Sequence, residues 1–128
     1  VNLPLWHLHY CRGQSPYERC WRTREDDMTL DDLETIIASR KLADPESSWT
    51  AKLLSKGVDK CAEKFGEEAV EAIIDAVKGD KEGLTSEAAD VLYHLMVMLA
   101  AAEVPLSDVM AVLDKRQSQS GIAEKASR

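Results

Sequence analysis

Two long segments, each with apolar residues at helical intervals, meet at the dipeptide Gly79-Asp80, and that junction leaves few folds open. Before it, Leu54, Val58, Cys61, Phe65, Ala69, Ile73 and Val77 step by three or four residues. Such spacing puts an apolar stripe along one side of a helix, which is expected to start near Trp49. Gly57 and Gly66 lower its helix propensity without removing the period. After the junction, Lys81 to about Glu103 reads as a second long helix. Glycine closes a helix in the left-handed conformation, and aspartate caps the next one by accepting a hydrogen bond from its free N–H groups. A stop followed at once by a start folds the two helices back on each other as an antiparallel hairpin. No segment alternates with the period of a strand, so the expected class is all-α.

Shorter helices flank the hairpin. Thr29 can cap a first one with Asp32 at its third position, and Leu30, Leu33, Ile36 and Ile37 then recur at helical spacing to a stop near Lys41. Asp44-Pro45-Glu46-Ser47-Ser48 is a turn-rich link whose last serine can cap the helix that follows. Pro105 ends the apolar run, and Leu106, Val109, Met110 and Leu113 mark a last short helix. Beyond Asp90 the second long helix is apolar almost all round, more than its neighbours in a chain of 128 residues can cover. A second copy of the chain would cover it. The expected architecture is therefore a helical bundle built on the long hairpin and completed by homo-oligomerisation, as a dimer or a larger assembly.

Residues 28–121 hold this pattern and read as one domain, with 122–128 as a loose tail. Residues 1–27 contain Trp6, Trp21, Pro4 and Pro16 without any period, and they end at Met28, which is read as a natural start. They are expected to lie outside the catalytic fold. His7, His9, Cys11 and Cys20 could instead ligate zinc, but their spacing matches no usual zinc pattern.

Charge and cysteine usage narrow the function. Lys plus Arg number 16 against 23 Asp plus Glu, a net charge of -7, which excludes a general electrostatic grip on nucleic acid. An anionic substrate then needs a local cation. The apolar run Val91 to Ala102 contains His94 and is far shorter than the roughly 18 residues of a membrane span, so no membrane partner is expected. The first residues lack the pattern of a secretory leader, and Cys11, Cys20 and Cys61 are too irregular for a disulfide framework. A cytoplasmic location is the expectation.

The chemistry is concentrated in Glu67-Glu68-Ala69-Val70-Glu71 before the junction and Glu87-Ala88-Ala89-Asp90 after it. Residues three apart share a helix face, so Glu68 pairs with Glu71 and Glu87 with Asp90. Glu71 and Glu87 lie at nearly equal distances from Gly79-Asp80, as do Glu68 and Asp90, and antiparallel helices bring such positions to the same depth. Two ionised acids at the mouth of an apolar helix are costly unless a cation joins them. An all-oxygen carboxylate site favours Mg²⁺ or Mn²⁺, and magnesium commonly completes its shell with water and substrate phosphate. Lys60 and Lys64 fall close to the face of Glu68 and Glu71, with Lys56 further along, as candidate phosphate contacts. Lys64 is equally placed to pair with Glu68. His94, one turn beyond Asp90, is read as a hydrogen-bonded neighbour of the site and a candidate substrate contact.

The pattern EExxE, a spacer and ExxD resembles the signature of the all-α nucleotide pyrophosphohydrolases, the group of the MazG-type and dimeric dUTPase-like enzymes. Within it, Ser48-Trp49-Thr50-Ala51-Lys52-Leu53-Leu54, Lys56-Gly57, Lys64 to Glu71 and Glu87 to Leu95 resemble the phosphoribosyl-ATP pyrophosphohydrolase family. Trp49 stands where that family more often has tyrosine, and Phe65 where a smaller aliphatic residue is usual. The resemblance implies hydrolysis of phosphoribosyl-ATP to phosphoribosyl-AMP and pyrophosphate in histidine synthesis. It also implies metal ions held by Glu68, Glu71, Glu87 and Asp90, with Glu67 beside them as the candidate general base. Two other readings compete: a related enzyme that removes noncanonical or deoxynucleoside triphosphates, and a non-catalytic helical dimerisation module with solvated acids.

Overall fold

Side-chain caps mark where three of the helices begin in the computed structural model, which describes residues 27–117 together with 125 and 126. Five helices follow in order: α1 (Leu30–Arg40), α2 (Trp49–Ser55), α3 (Val58–Lys78), α4 (Lys81–Ala101) and α5 (Leu106–Gln117). No strand occurs among the described residues, so the fold is all-α as the periodicity requires. The extension, with its His7, His9, Cys11 and Cys20, and nearly all of the 122–128 tail lie outside the described residues.

At α1 the Thr29 hydroxyl accepts the Asp32 N–H at 3.2 Å, and an Asp32 carboxylate oxygen accepts the Thr29 N–H at 2.8 Å, a reciprocal box that satisfies two free donors. The backbone and side-chain bonds from Thr29 hold the Asp32 carboxyl below its usual pKa. Ser48 caps α2 by accepting the Ala51 N–H at 3.2 Å, and Asp80 caps α4 by accepting the Gly83 N–H at 2.9 Å. Gly79, at φ 75°, supplies the left-handed residue that turns α3 back onto α4.

One boundary differs from the periodicity. The helix expected to run unbroken from Trp49 is two helices, separated at Gly57, whose φ of 86° and ψ of 179° belong to a region that only glycine occupies without strain. The Lys56 and Gly57 N–H groups bond to the Leu53 and Leu54 carbonyls, tightening the last turn of α2. Apolar spacing survives such a break, because both helices still direct part of the stripe inward. Leu53 of α2 and Cys61 of α3 are both buried.

The core comprises Ile37, Leu53, Cys61, Met96, Val97 and Leu106, drawn from all five helices. The buried Cys61 thiol donates to the Leu53 carbonyl at 3.4 Å, which ties α3 to α2. A Glu34 carboxylate oxygen accepts the Leu106 N–H at 2.8 Å and anchors the start of α5 on α1. All of this packing lies toward one end of the α3–α4 hairpin. At the turn end Ile73 and Val77 are 61% and 84% exposed, so the apolar stripe continues past the chain's own core. By length and composition α4 could cross a membrane, yet it carries Glu87 and Asp90 and supplies Met96 and Val97 to the core. Only 17% of its most apolar 18-residue window is buried within the chain.

Candidate active site

Register across the Gly79-Asp80 turn decides which acids meet. Glu68 and Glu71 lie one turn apart on α3, and Glu87 lies opposite them on α4; a carboxylate oxygen from each falls within 4.8 Å of the other two. Glu68 and Glu87 are half-buried and Glu71 is exposed. Asp90 stands outside this group, exposed on α4 one turn beyond Glu87.

The electrostatics of the cluster are unfavourable without a counter-charge. Glu87 Oε2 is buried and has no hydrogen-bond partner. Burial pushes the Glu87 carboxyl above its usual pKa, and the charges of Glu71, Glu68 and Asp90 push it the same way. A hydrogen bond between Glu71 and Glu87 would require a proton on one of them; with both ionised, that oxygen faces other acids alone. A hard divalent cation suits this donor set, because it takes oxygen ligands and removes the repulsion.

The cations are unevenly placed. Lys64 Nζ lies 2.6 Å from a Glu67 oxygen and 3.5 Å from a Glu68 oxygen, so it joins the acidic strip as a partner of both. Lys64 lowers the Glu67 pKa by a charged hydrogen bond and is itself raised by it, which keeps both groups ionised. Lys60 bonds Glu63 at 3.0 Å instead of turning toward the cluster, and Lys56 is exposed at the end of α2.

His94 is buried one turn beyond Asp90, with Nε2 3.9 Å from Glu68 Oε1 and Nδ1 lacking a partner. Burial holds its pKa below the usual value, outweighing the nearby Glu68 charge, and so favours the neutral imidazole. A neutral ring can turn a donor toward Glu68 without adding a charge to the pocket. The Tyr93 ring stands edge-on to it, with centroids 4.9 Å apart.

A further contact was not visible in the helical spacing. The Thr50 hydroxyl and the Tyr93 phenol lie 2.6 Å apart across 43 residues, linking the start of α2 to the face of α4 beside the acids. Both residues fall in segments that carry the family resemblance, but no local rule pairs them.

Comparison with known proteins identifies the family of the chain. The sequence profile described as phosphoribosyl-ATP pyrophosphohydrolase matches residues 30–117. The phosphoribosyl-ATP pyrophosphatase of Roseobacter denitrificans is 71% identical over 101 residues, covering 79% of this chain and 96% of that protein. That of Dinoroseobacter shibae is 73% identical over 96 residues, with 75% and 94% covered, and that of Cereibacter sphaeroides 69% over 99, with 77% and 96%. The matched span contains every acid and lysine of the cluster, and on these grounds the chain belongs to the phosphoribosyl-ATP pyrophosphohydrolase family.

Proposed function

We propose that the chain hydrolyses phosphoribosyl-ATP to phosphoribosyl-AMP and pyrophosphate, a step of histidine biosynthesis, at the face formed by α3 and α4. One observation carries the reading. Three carboxylates converge within 4.8 Å, one of them with a buried oxygen lacking any donor, in a chain whose relatives are named for this reaction.

Glu68, Glu71 and Glu87 would hold a divalent cation, Mg²⁺ or Mn²⁺, with Asp90 as the fourth acid of the set. Such an ion, when bound, polarises the phosphates and lowers the pKa of the attacking water. The chain's own groups do the rest. Glu67, kept ionised by Lys64, accepts the proton of the water as it attacks the α-phosphorus, and the bond to the bridging oxygen of the β-phosphate breaks. Lys64 then offers its charge to the phosphate oxygens. Lys60 and Lys56 reach the outer phosphates, Lys60 by leaving a partly exposed pair with Glu63 that contributes little. His94 steadies Glu68 from the buried side and borders the substrate. The protein works as a homodimer or larger homo-oligomer in the cytoplasm, with residues 28–121 as the catalytic domain and residues 1–27 outside it.

The test is release of pyrophosphate from phosphoribosyl-ATP and from a panel of canonical, noncanonical and deoxynucleoside triphosphates, with and without Mg²⁺. Metal-dependent turnover confined to phosphoribosyl-ATP is expected. Preferred turnover of another triphosphate would replace this activity with a house-cleaning one, and no turnover at all would leave a helical dimerisation module.

A further inference from the structure

We infer that Thr50 and Tyr93 act together as positioning residues that fix the His94 imidazole where it meets Glu68; the inference deepens the activity proposed above and rests on it for its kinetic consequence. A histidine beside a metal-binding carboxylate is ordinarily oriented by a hydrogen bond at its second ring nitrogen. In this chain His94 Nε2 faces Glu68 Oε1 at 3.9 Å, while Nδ1 is buried and has no hydrogen-bond partner among the described residues. Packing must therefore set the rotation of the ring. The Tyr93 ring stands edge-on to it, with centroids 4.9 Å apart and planes at 75°, an arrangement with a directional preference of its own. The orientation of His94 then depends on that of Tyr93.

Tyr93 is not locked by packing alone. It is half-buried and borders a cavity of about 540 Å³ between the start of α1 and α4, with Leu33 and Leu92, so its ring has room to turn. What ties it is its phenol oxygen, 2.6 Å from the Thr50 hydroxyl. Thr50 is a firm anchor. It is the second residue of α2, its β-branched side chain has few rotamers, and its helix is held by the Ser48 cap on the Ala51 N–H at 3.2 Å and by the buried Ala51 and Leu53. The contacts run from the Thr50 hydroxyl through the Tyr93 ring to His94 and Glu68, and they carry the placement of α2 to the acids on α3. A bond that only held α2 against α4 would change stability and leave the imidazole and the metal requirement alone.

The test uses the full chain with Tyr93→Phe, Thr50→Val, both together, and Thr50→Ser, which keeps the hydroxyl. The measurements are the NMR signals of the His94 imidazole in the metal-free protein, the Mg²⁺ concentration giving half-maximal turnover of phosphoribosyl-ATP, KM at saturating Mg²⁺, and helicity by circular dichroism. Tyr93→Phe and Thr50→Val are expected to shift or broaden the same His94 signals and to raise the Mg²⁺ requirement about tenfold, with KM within about twofold. The double variant should be no worse than the more severe single one, because both remove one bond. Thr50→Ser should behave like the unaltered chain. Unmoved His94 signals in folded variants, losses that multiply in the double variant, or a Thr50→Ser protein as impaired as Thr50→Val would each overturn the positioning role. The imidazole signals require no turnover, so an inactive unaltered chain would refute the proposed activity while the His94 spectrum still decided this inference.

Discussion

Glu87 is the residue whose surroundings in the fold are least favourable to its charge. Its buried oxygen has no donor, its neighbours are acids, and its carboxyl is held above the usual range by burial first and by those neighbours second. Replacing Glu68, Glu71 or Glu87 by glutamine, or Asp90 by asparagine, keeps the side-chain size and removes one anionic ligand. Each substitution is expected to lower Mg²⁺-dependent turnover on the order of a hundredfold or more while circular dichroism stays helical. Near-normal turnover in two of the four would sink the metal assignment. The same argument extends to stability. Addition of Mg²⁺ to the metal-free protein should raise the unfolding free energy, by about 2.7 kcal/mol when the free ion is a hundred times its Kd. Glu87→Gln should reduce that gain and leave the metal-free protein at least as stable as the unaltered chain; a destabilised, still metal-responsive variant would contradict it.

The helices themselves are set by short-range chemistry, and their ends are where substitutions discriminate. Gly57 and Gly79 both have positive φ, and a Cβ at either would meet nothing within 4 Å, so the cost of alanine is backbone strain alone. Gly79, at φ 75° and ψ 17°, is in the left-handed helical region, where alanine costs roughly 1–2 kcal/mol. Gly57, with ψ 179°, is in a region nearly closed to other residues, where the cost is on the order of 1–3 kcal/mol. Urea unfolding should therefore rank Gly57→Ala as the more damaging of the two; the reverse order would mean that the α2–α3 break is dispensable. The α1 cap adds a pH dependence. Because the folded Asp32 pKa is lowered, its contribution is fully present above the unfolded value of about 3.9 and is lost as the pH falls through the folded value. Asp32→Asn should flatten the acid limb of the stability profile, and an unchanged limb would remove the capping box from the account.

At the level of the whole molecule, the described chain leaves apolar surface open on α3 and α4. Val70, Ile73, Ile74 and Val77 of α3 are all exposed, and only 17% of the most apolar window of α4 is fully buried within one copy. Sedimentation at micromolar concentration is expected to show a dimer or larger species, and the double variant Ile73→Glu with Val77→Glu is expected to shift it toward monomer with loss of activity. A folded, active monomer of the unaltered chain would defeat this. Deleting residues 1–27 is expected to leave helicity and turnover nearly unchanged, since the family match begins at residue 30. A large loss of either would place that segment within the working enzyme.

Local patterns in the sequence determined what local physics controls: the all-α class, the caps at Thr29, Ser48 and Asp80, the left-handed Gly79, and the hairpin they define. Each involves groups a few residues apart, so spacing alone was enough. The convergence of Glu68, Glu71 and Glu87 was legible for a related reason, since a two-residue turn leaves little freedom in the register of antiparallel helices. Tertiary structure decided the rest. Gly57 breaks the helix there with a φ of 86° and ψ of 179°, and Leu53 before the break and Cys61 after it are both buried. Asp90 stands beside the acid cluster instead of within it, exposed on α4 one turn beyond Glu87. The Thr50–Tyr93 bond and the cavity next to it join residues distant in the chain, brought together where α1 and α2 pack on α4.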